Sequence, residues 1–369
     1  MNSEVRQVLE FAQRLLAVLD EGRKTATYKY AVLLALMDLC LITRDESGAA
    51  PSMVTTEQLA ERVVELYWPH ARRFSSEEEG GRVLEQNTGK RQAEIITLIC
   101  RFRQSCAPDP TAALSRARAA ARPEFERLVK DVEWKLVEMP LPKLQRLLGG
   151  DREPFLYRIA WDDEVKRAEF NDAGRFDNRI HLLPGTGEWL AELGGLLRPI
   201  IERRWAAMVG RLNADLVADV QLEEFLFGID RSSLEPVKKP LLELQEHRCF
   251  FCTERVERAG QVDHFIAWSR HPTNALDNLV VAHDGCNLSK SDHLVAVRHL
   301  ERWSRHRRDR KGELARIATE HAWEGPSERT LGIVRGIYLR LPSAPKLWVE
   351  GRVFESGSVE GIRRALEVG

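Results

Sequence analysis

The chain has 369 residues, of which 43% are apolar and 30% charged, with 55 basic and 56 acidic side chains. This length accommodates two or three domains, and the composition is typical of a globular protein, not of a disordered one. A net charge of -1 excludes a polybasic, histone-like protein, but nucleic-acid binding depends on where charge is concentrated. The longest apolar stretch, near residues 31–41, is too short for a membrane span, and the N-terminus lacks the pattern of a secretory signal. We therefore expect a cytoplasmic protein without membrane contact.

The first hundred residues predict helices. Apolar side chains recur every three or four residues through 4–41, and Thr55-x-x-Gln58 has the form of a capping box that opens another helix. The segment 107–110 contains two prolines and an aspartate and predicts a linker. The sequence thus favours a helical N-terminal domain over residues 1–106.

The middle of the chain, residues 111–235, mixes helical and strand patterns and predicts a small α+β region. Its expected elements are a solvated helix over 111–130, a short helix over 141–148, strands over 155–161 and 179–183, and one long amphipathic helix from Trp189 to Leu212.

The C-terminal third is divided into a compact module over 240–320 and a tail over 321–369. Alternating residues around Glu350-Gly351 predict a β-hairpin over 346–354 in that tail. The chain as a whole is therefore predicted to be of the α+β class, with a mainly helical N-terminal region.

Six cysteines are too few for a disulfide framework in a chain of this length. Cys40, Cys100 and Cys106 lie in or beside apolar helical stretches, where small buried side chains are the ordinary interpretation. The other three form two pairs of zinc-knuckle spacing, Cys249-x2-Cys252 and His283-x2-Cys286. Three thiolates and one imidazole suit a closed, structural Zn²⁺ site. The alternative is that these are chance cysteines of a reduced protein.

Residues of a second chemical type lie between and just after the two pairs. Asp263 offers a carboxylate and Asn287 an amide oxygen, which are hard ligands of the kind that Mg²⁺ prefers. His264 is the candidate base, because imidazole accepts a proton near neutral pH. A lone Asp-His pair means little by itself, and the interpretation depends on the ordered spacing from His264 to Asn278 to Asn287.

Taken together, residues 247–294 resemble the HNH (ββα-metal) endonuclease family. The matching pieces are Cys249-x2-Cys252, Asp263-His264, Asn278-Leu279, His283-x2-Cys286-Asn287 and Lys290. The resemblance implies a two-stranded hairpin that carries Asp263 and His264, a helix that starts near Asn287, and a zinc site that ties the ends together.

Position by position, the resemblance implies that His264 is the general base and that Asp263 and Asn287 hold Mg²⁺ or Mn²⁺. Asn278 would hold the loop that orients the base. The sequence departs from the family pattern at Ala267, where proline is frequent, and at His283, where cysteine is commoner.

A basic stripe follows the motif. Residues 247–311 contain 12 Lys+Arg and 8 Asp+Glu, a local net charge of +4 in a nearly neutral protein. Such a stripe attracts phosphates, and the predicted DNA contacts are Lys290, Arg298, Arg302, Arg305 and Arg308. The alternative is an ordinary solvated helix face.

The sequence supports three hypotheses of different classes. The first is an Mg²⁺-dependent HNH DNA endonuclease, similar to nucleases of bacterial anti-phage systems such as Zorya type II, with partner proteins from a defence operon, or to some restriction-type nucleases. The second is a zinc-stapled nucleic-acid-binding module without catalysis. The third is a protein-interaction scaffold, which would not explain the Asp-His pair or the basic stripe.

Overall fold

The structure is a computed structural model of the chain. It describes residues 3–21, 26–45, 47–74, 81–89, 91–107, 112–146, 154–172, 174–215, 222–228, 234–256, 260–271 and 273–367.

The chain forms two compact units. The first comprises Met1–Cys40 and Ala50–Gly228, and the second comprises Leu41–Ala49 and Ile229–Gly369. Both contain helices and small antiparallel sheets, which confirms the predicted α+β class. None of the helices in the described part of the chain combines the length and the apolarity that a membrane crossing needs.

The first unit is mainly helical. Its described helices are α1 (Ser3–Glu21), α2 (Tyr28–Ile42, whose last two residues fall in the second unit), α3 (Thr56–Tyr67), α4 (Glu94–Cys106), α5 (Leu114–Ala120), α6 (Arg122–Glu138), α7 (Arg167–Phe170), α8 (Thr186–Glu192), α9 (Gly194–Leu212) and α10 (Leu222–Phe227). Its strands are β1 (Met53–Thr55), β2 (Arg73–Phe74), β3 (Arg82–Val83), β4 (Tyr157–Arg158) and β5 (Arg179–Leu182).

One sheet and one core extend across the boundary predicted at 107–110. The antiparallel sheet has the order β1-β5-β4, so a strand from before the boundary pairs with one from after it. A single hydrophobic core likewise contains buried side chains of α2, α3, α6 and α9. The regions 1–106 and 111–235 are therefore parts of one unit, because neither α3 nor β1 could bury its apolar face alone. Residues 108–110 of the predicted linker lie outside the described residues.

Local sequence signals are borne out at some positions and not at others. The Thr55 hydroxyl accepts a hydrogen bond from the Gln58 N–H, and the Gln58 side chain accepts one from the Thr55 N–H, so the capping box is confirmed at the start of α3. The long helix predicted from Trp189 is interrupted at Leu193 and continues as α9. The Gly194-Gly195 pair explains the interruption, since glycine disfavours a helix interior.

Two further helix predictions need correction. The stretch predicted as a solvated helix over 111–130 is split at Ala121 into α5 and α6, and α6 buries Phe125 in the core. Residues 141–145 form turns and not a helix, and residues 147–148 of the predicted helix lie outside the described residues. Pro140 and Pro142 lack the N–H groups that a helix would use there.

The interior of the first unit holds a charged network. Asp38 is 1% exposed and accepts hydrogen bonds from Arg62 Nε, at 2.6 Å, and from Arg198. Arg62 also pairs with Glu65, and Arg198 with Glu202. Asp38 is therefore the anion that two buried arginines share, and the cost of burying them depends on its charge.

We expect Asp38→Ala to destabilise the first unit by about 3–5 kcal/mol, because it leaves two buried guanidinium groups without their shared carboxylate. Hydrogen exchange in peptides from α2 and α3 would measure the opening free energy of this unit alone. The matched control is Glu10→Ala, which breaks the exposed pair with Arg6 and should cost no more than about 0.5 kcal/mol. An equal, small effect of both substitutions would contradict the assignment.

The second unit contains the region of the predicted chemistry. Its described helices are α11 (Glu235–Leu244), α12 (Asp284–Lys290), α13 (Val297–Asp309), α14 (Lys311–Glu320), α15 (Glu328–Tyr338) and α16 (Val359–Glu367), and its strands are β6 (Gln261–His264), β7 (Leu279–Ala282), β8 (Lys346–Glu350) and β9 (Val353–Ser356). The β8–β9 hairpin confirms the one predicted over 346–354.

The predicted tail over 321–369 belongs to the same unit as the module before it. Trp348, 1% exposed, lies in the same core as Phe250 and Phe251 of the first cysteine pair, and its ring lies 5.3 Å from that of Phe251. Backbone hydrogen bonds join Trp348 to Leu294 and Ala296. The unit therefore extends well beyond residue 320, because its core is completed by the C-terminal hairpin.

Candidate functional site

The hairpin expected around Asp263 and His264 is present. Strands β6 and β7 pair antiparallel, with Asp263 opposite Val280 and His264 opposite Leu279. All four residues of β7 are buried, so this strand anchors the hairpin in the core. The next helix, α12, begins at Asp284 and contains Asn287 in its middle. The two candidate Mg²⁺ ligands thus come from a strand and from the helix that follows the hairpin.

Lys290 connects α12 to β6. Its Nζ lies 3.0 Å from Asp263 Oδ2 and donates to the carbonyl oxygen of His264 at 2.8 Å. Lys290 is 0% exposed, so the direct phosphate contact predicted for it is not compatible with its position. Its long apolar stem allows burial, and the two oxygen partners compensate its charge. Lys290 is a buried cation beside the candidate metal ligand.

His264 is 5% exposed, and its ring has a defined partner. Nε2 lies 2.8 Å from Asn274 Oδ1, and the Trp268 ring lies 5.3 Å away. The candidate base is thus held by a side chain from the loop between β6 and β7.

Asn278 ties that loop together. Its Oδ1 accepts from the Ile266 N–H at 2.9 Å, and its Nδ2 donates to the carbonyl oxygens of Ile266 and Thr273 at 3.3 Å. Asn278 is fully buried, and an unmade hydrogen bond there would be costly. The two ends of the loop that follows His264 are therefore fixed to one amide group.

Asn287 links α12 to the start of the hairpin. Its Nδ2 donates to Gln261 Oε1 at 2.9 Å, and Gln261 is the first residue of β6. Together with the Lys290–Asp263 pair, this contact joins the strand of one candidate ligand to the helix of the other. A carboxylate and an amide oxygen on adjoining elements form the hard donor set that Mg²⁺ or Mn²⁺ takes.

The four predicted zinc ligands come together. One ligand atom from each of Cys249, Cys252, His283 and Cys286 lies within 4.8 Å of the other three. A tetrahedral Zn²⁺ with sulfur and nitrogen ligands requires separations of roughly 3.3–3.8 Å, so small side-chain shifts would close the site. His283 Nδ1 is already 3.2 Å from Cys252 Sγ. The Cys/His cluster fits zinc.

The backbone around the cluster favours metal binding. His283 Nε2 donates to the carbonyl oxygen of Arg255 at 3.1 Å, which leaves Nδ1 as the ligand atom and fixes the ring. Burial would raise the pKa of the Cys249 thiol, but N–H donors from Cys252, His283 and Phe251 outweigh it and lower that pKa. Burial, with the nearby Cys249 and Cys252 sulfurs, raises the pKa of Cys286 to about 12. A cation between the sulfurs would relieve this repulsion.

The arginines of the basic stripe are of two kinds: some form hydrogen bonds within the protein, and others are exposed. Arg302 Nη1 donates to the carbonyl oxygens of Phe250 and Phe251 at 2.6 and 2.8 Å, so it supports the first zinc knuckle instead of standing free for DNA as predicted. Arg298, Arg305 and Arg308 are exposed. Arg308 pairs with the exposed Asp309, a contact weak enough to exchange for a phosphate.

Two residues that no sequence motif singled out contribute to the site. Trp323, which lies in the predicted tail, donates through Nε1 to the carbonyl oxygen of Asn274 at 2.6 Å. Asparagine is common in loops for local reasons, so its type carried no signal. A pair 49 residues apart in the chain is visible only once the chain is folded.

We expect the purified chain to contain one zinc ion per molecule and Cys286→Ser to lose it, because a hydroxyl cannot replace a thiolate ligand. Metal analysis after dialysis would measure this stoichiometry. The matched control is Cys106→Ser, which changes a partly buried cysteine of α4 outside the cluster. This variant should contain as much zinc as the wild type. A zinc content that is independent of Cys286 would contradict the site.

Two family models match the chain. The one described as "Domain of unknown function (DUF8808)" matches residues 9–226, and the one described as "HNH endonuclease" matches residues 249–293. The second match contains the β6–β7 hairpin, α12 and the Cys/His cluster. No curated protein and no solved structure matches. Since the first match covers more than half of the chain, this protein belongs to the family described as a domain of unknown function (DUF8808), and it carries an HNH endonuclease domain near its C-terminus.

Proposed function

We propose that this protein is an HNH DNA endonuclease that hydrolyses phosphodiester bonds with Mg²⁺ or Mn²⁺. The observation that carries the proposal is the placement of Asp263 and His264 on one strand of the hairpin, joined to Asn287 on α12 through Lys290 and Gln261. These residues lie within the stretch that the HNH endonuclease family model matches.

Each residue has a separate task in the proposed reaction. His264 takes a proton from the attacking water, and Asp263 and Asn287 would hold the divalent ion. A bound divalent ion supplies Lewis-acid stabilisation of the charge that develops on the phosphate. Asn278 keeps the loop after His264 in place through its three backbone contacts. One such site cuts one strand, so a single chain is expected to nick duplex DNA.

The proposed DNA surface is formed by the exposed arginines of α13: Arg298, Arg305 and Arg308. Arginine recognises phosphates through its planar fork of donors and carries no sequence information by itself. Binding should therefore weaken steeply with salt. Arg302 would act indirectly, by holding the zinc knuckle beneath this surface.

The rival proposal is a zinc-stapled nucleic-acid-binding module without turnover. It accounts for the Cys/His cluster and the arginines, but it does not explain the presence of His264 or of the Asn274 and Asn278 amide groups near it. A role in anti-phage defence with partner proteins, as in Zorya type II systems, stays a prediction from the resemblance alone, as does a cytoplasmic location.

The test is the conversion of supercoiled plasmid to nicked circles by the full-length, zinc-loaded chain in Mg²⁺ or Mn²⁺. We expect nicked product to accumulate before linear product, and a chelator to stop the reaction. Salt-sensitive DNA retention in a gel shift, with no cleavage in either metal, would overturn the proposal in favour of the binding module.

A further inference from the structure

The candidate base, His264, contacts the side chain of Asn274, to which the proposed function assigns no role. Asn274 Oδ1 lies 2.8 Å from His264 Nε2. His264 is almost completely buried, so water cannot readily take over this contact. A neutral imidazole carries its proton on one of two nitrogens, and its hydrogen-bond partner decides which.

The loop that carries Asn274 is fixed on several sides. Trp323 Nε1 donates to the carbonyl oxygen of Asn274 at 2.6 Å, and the Leu276 N–H donates to that of Glu324 at 3.0 Å. The preceding residue, Thr273, accepts a hydrogen bond from the Asn278 side chain. Trp323 and Glu324 lie outside the stretch that the HNH endonuclease family model matches. This support is therefore supplied by the C-terminal part of the chain.

The surroundings of His264 explain why an amide is suited to this place. Among the charged groups next to it are Asp263, its neighbour on β6, and Lys290 of α12, whose Nζ donates to the His264 carbonyl oxygen. The opposite residue on β7, Leu279, is apolar. A neutral acceptor at Nε2 orients the ring without adding a third charge beside the Asp263–Lys290 pair.

We propose that Asn274 is a positioning residue that fixes the tautomer of His264. Asn274 Oδ1 accepts a hydrogen bond from His264 Nε2–H, so that the lone pair of the imidazole lies on Nδ1, and Trp323 holds Asn274 in place. This inference rests on the proposed function for its catalytic meaning, since the Nδ1 lone pair is the one that would take the proton from water. The tautomer of His264 can be measured in the zinc-loaded chain without Mg²⁺, Mn²⁺ or DNA.

The first test is spectroscopic and uses the full-length, zinc-loaded chain with ¹⁵N-labelled histidine at about pH 8.5, where an ordinary imidazole is neutral. The His264 signals are assigned by their loss in His264→Gln. We expect the Nε2–H form in the wild type and in Asn274→Asp, and a mixture of tautomers in Asn274→Leu, which has a similar shape and no acceptor. The control, Ser269→Ala, changes an exposed side chain of the loop between β6 and β7 and should keep the Nε2–H form.

The second test separates binding from turnover in the nicking assay. We expect Asn274→Leu to lower kcat by roughly 10-fold to 100-fold with KM within about twofold, as for other residues that orient a reacting group. Asn274→Asp should recover most of the rate, Trp323→Phe should give a smaller loss, and Ser269→Ala should behave as the wild type.

The outcomes distinguish this inference from the proposed function. An Nδ1–H tautomer in the wild type, an unchanged tautomer in Asn274→Leu, or equal losses in Asn274→Leu and Ser269→Ala would overturn the positioning role. A wild-type chain that never nicks DNA would overturn the nuclease proposal, while the tautomer measurement would still decide what Asn274 does to His264.

Discussion

Replacement of His264 with alanine is expected to slow plasmid nicking by roughly 10²–10⁴-fold, the range over which a positioned general base accelerates such reactions. Alanine removes the imidazole but keeps the backbone carbonyl that accepts from Lys290. The Asp263–Lys290 pair and the β6–β7 register should therefore survive. DNA binding at low salt should change little, because the proposed phosphate contacts lie on α13.

Initial rates of nicking under saturating Mg²⁺ would measure this effect, with zinc content as the check on folding. The matched control is His181→Ala, which removes an exposed histidine of β5 in the first unit and should leave the rate unchanged. A His264→Ala chain that nicks at the wild-type rate would exclude His264 as the base.

Ending the chain at residue 320 is expected to unfold the second unit. The deletion removes buried core side chains, among them Leu331, Val334, Tyr338, Leu347, Trp348 and Ile362. At about 1.5–3 kcal/mol for each fully buried side chain, the loss of these six amounts to about 9–18 kcal/mol, which is comparable with the stability of about 5–15 kcal/mol of a typical domain. Phe251 would lose its contact with Trp348, so zinc binding should fail as well.

Limited proteolysis and metal analysis of the truncated chain would show this loss, as rapid cleavage within residues 234–320 and a zinc content near zero. The control is Arg352→Ala, a substitution at the exposed turn of the β8–β9 hairpin, which should change neither property. A truncated chain that binds one zinc ion and resists protease would show that the module up to residue 320 folds alone.

Local rules predicted the parts of this protein in which neighbouring residues decide the structure. The capping box at Thr55 and Gln58, the hairpin at residues 346–354 and the two knuckle pairs each depend on groups a few residues apart. The α+β class followed from the same local patterns. Where a local pattern met an interruption, as at Gly194-Gly195, the sequence predicted a helical region up to Leu212 but not the break within it.

The sequence by itself determined which residue types can do the chemistry: one carboxylate, one imidazole and one amide at ordered spacing, with three thiols and a second imidazole for zinc. Only the tertiary structure decided that Lys290 is buried against Asp263 and that Arg302 supports a zinc knuckle. It also placed Asn274, held by Trp323, against His264. The physical reason is the same in each case. A long or polar side chain can form hydrogen bonds with many different groups, and which bonds form depends on the distant groups that the folded core brings within hydrogen-bonding distance.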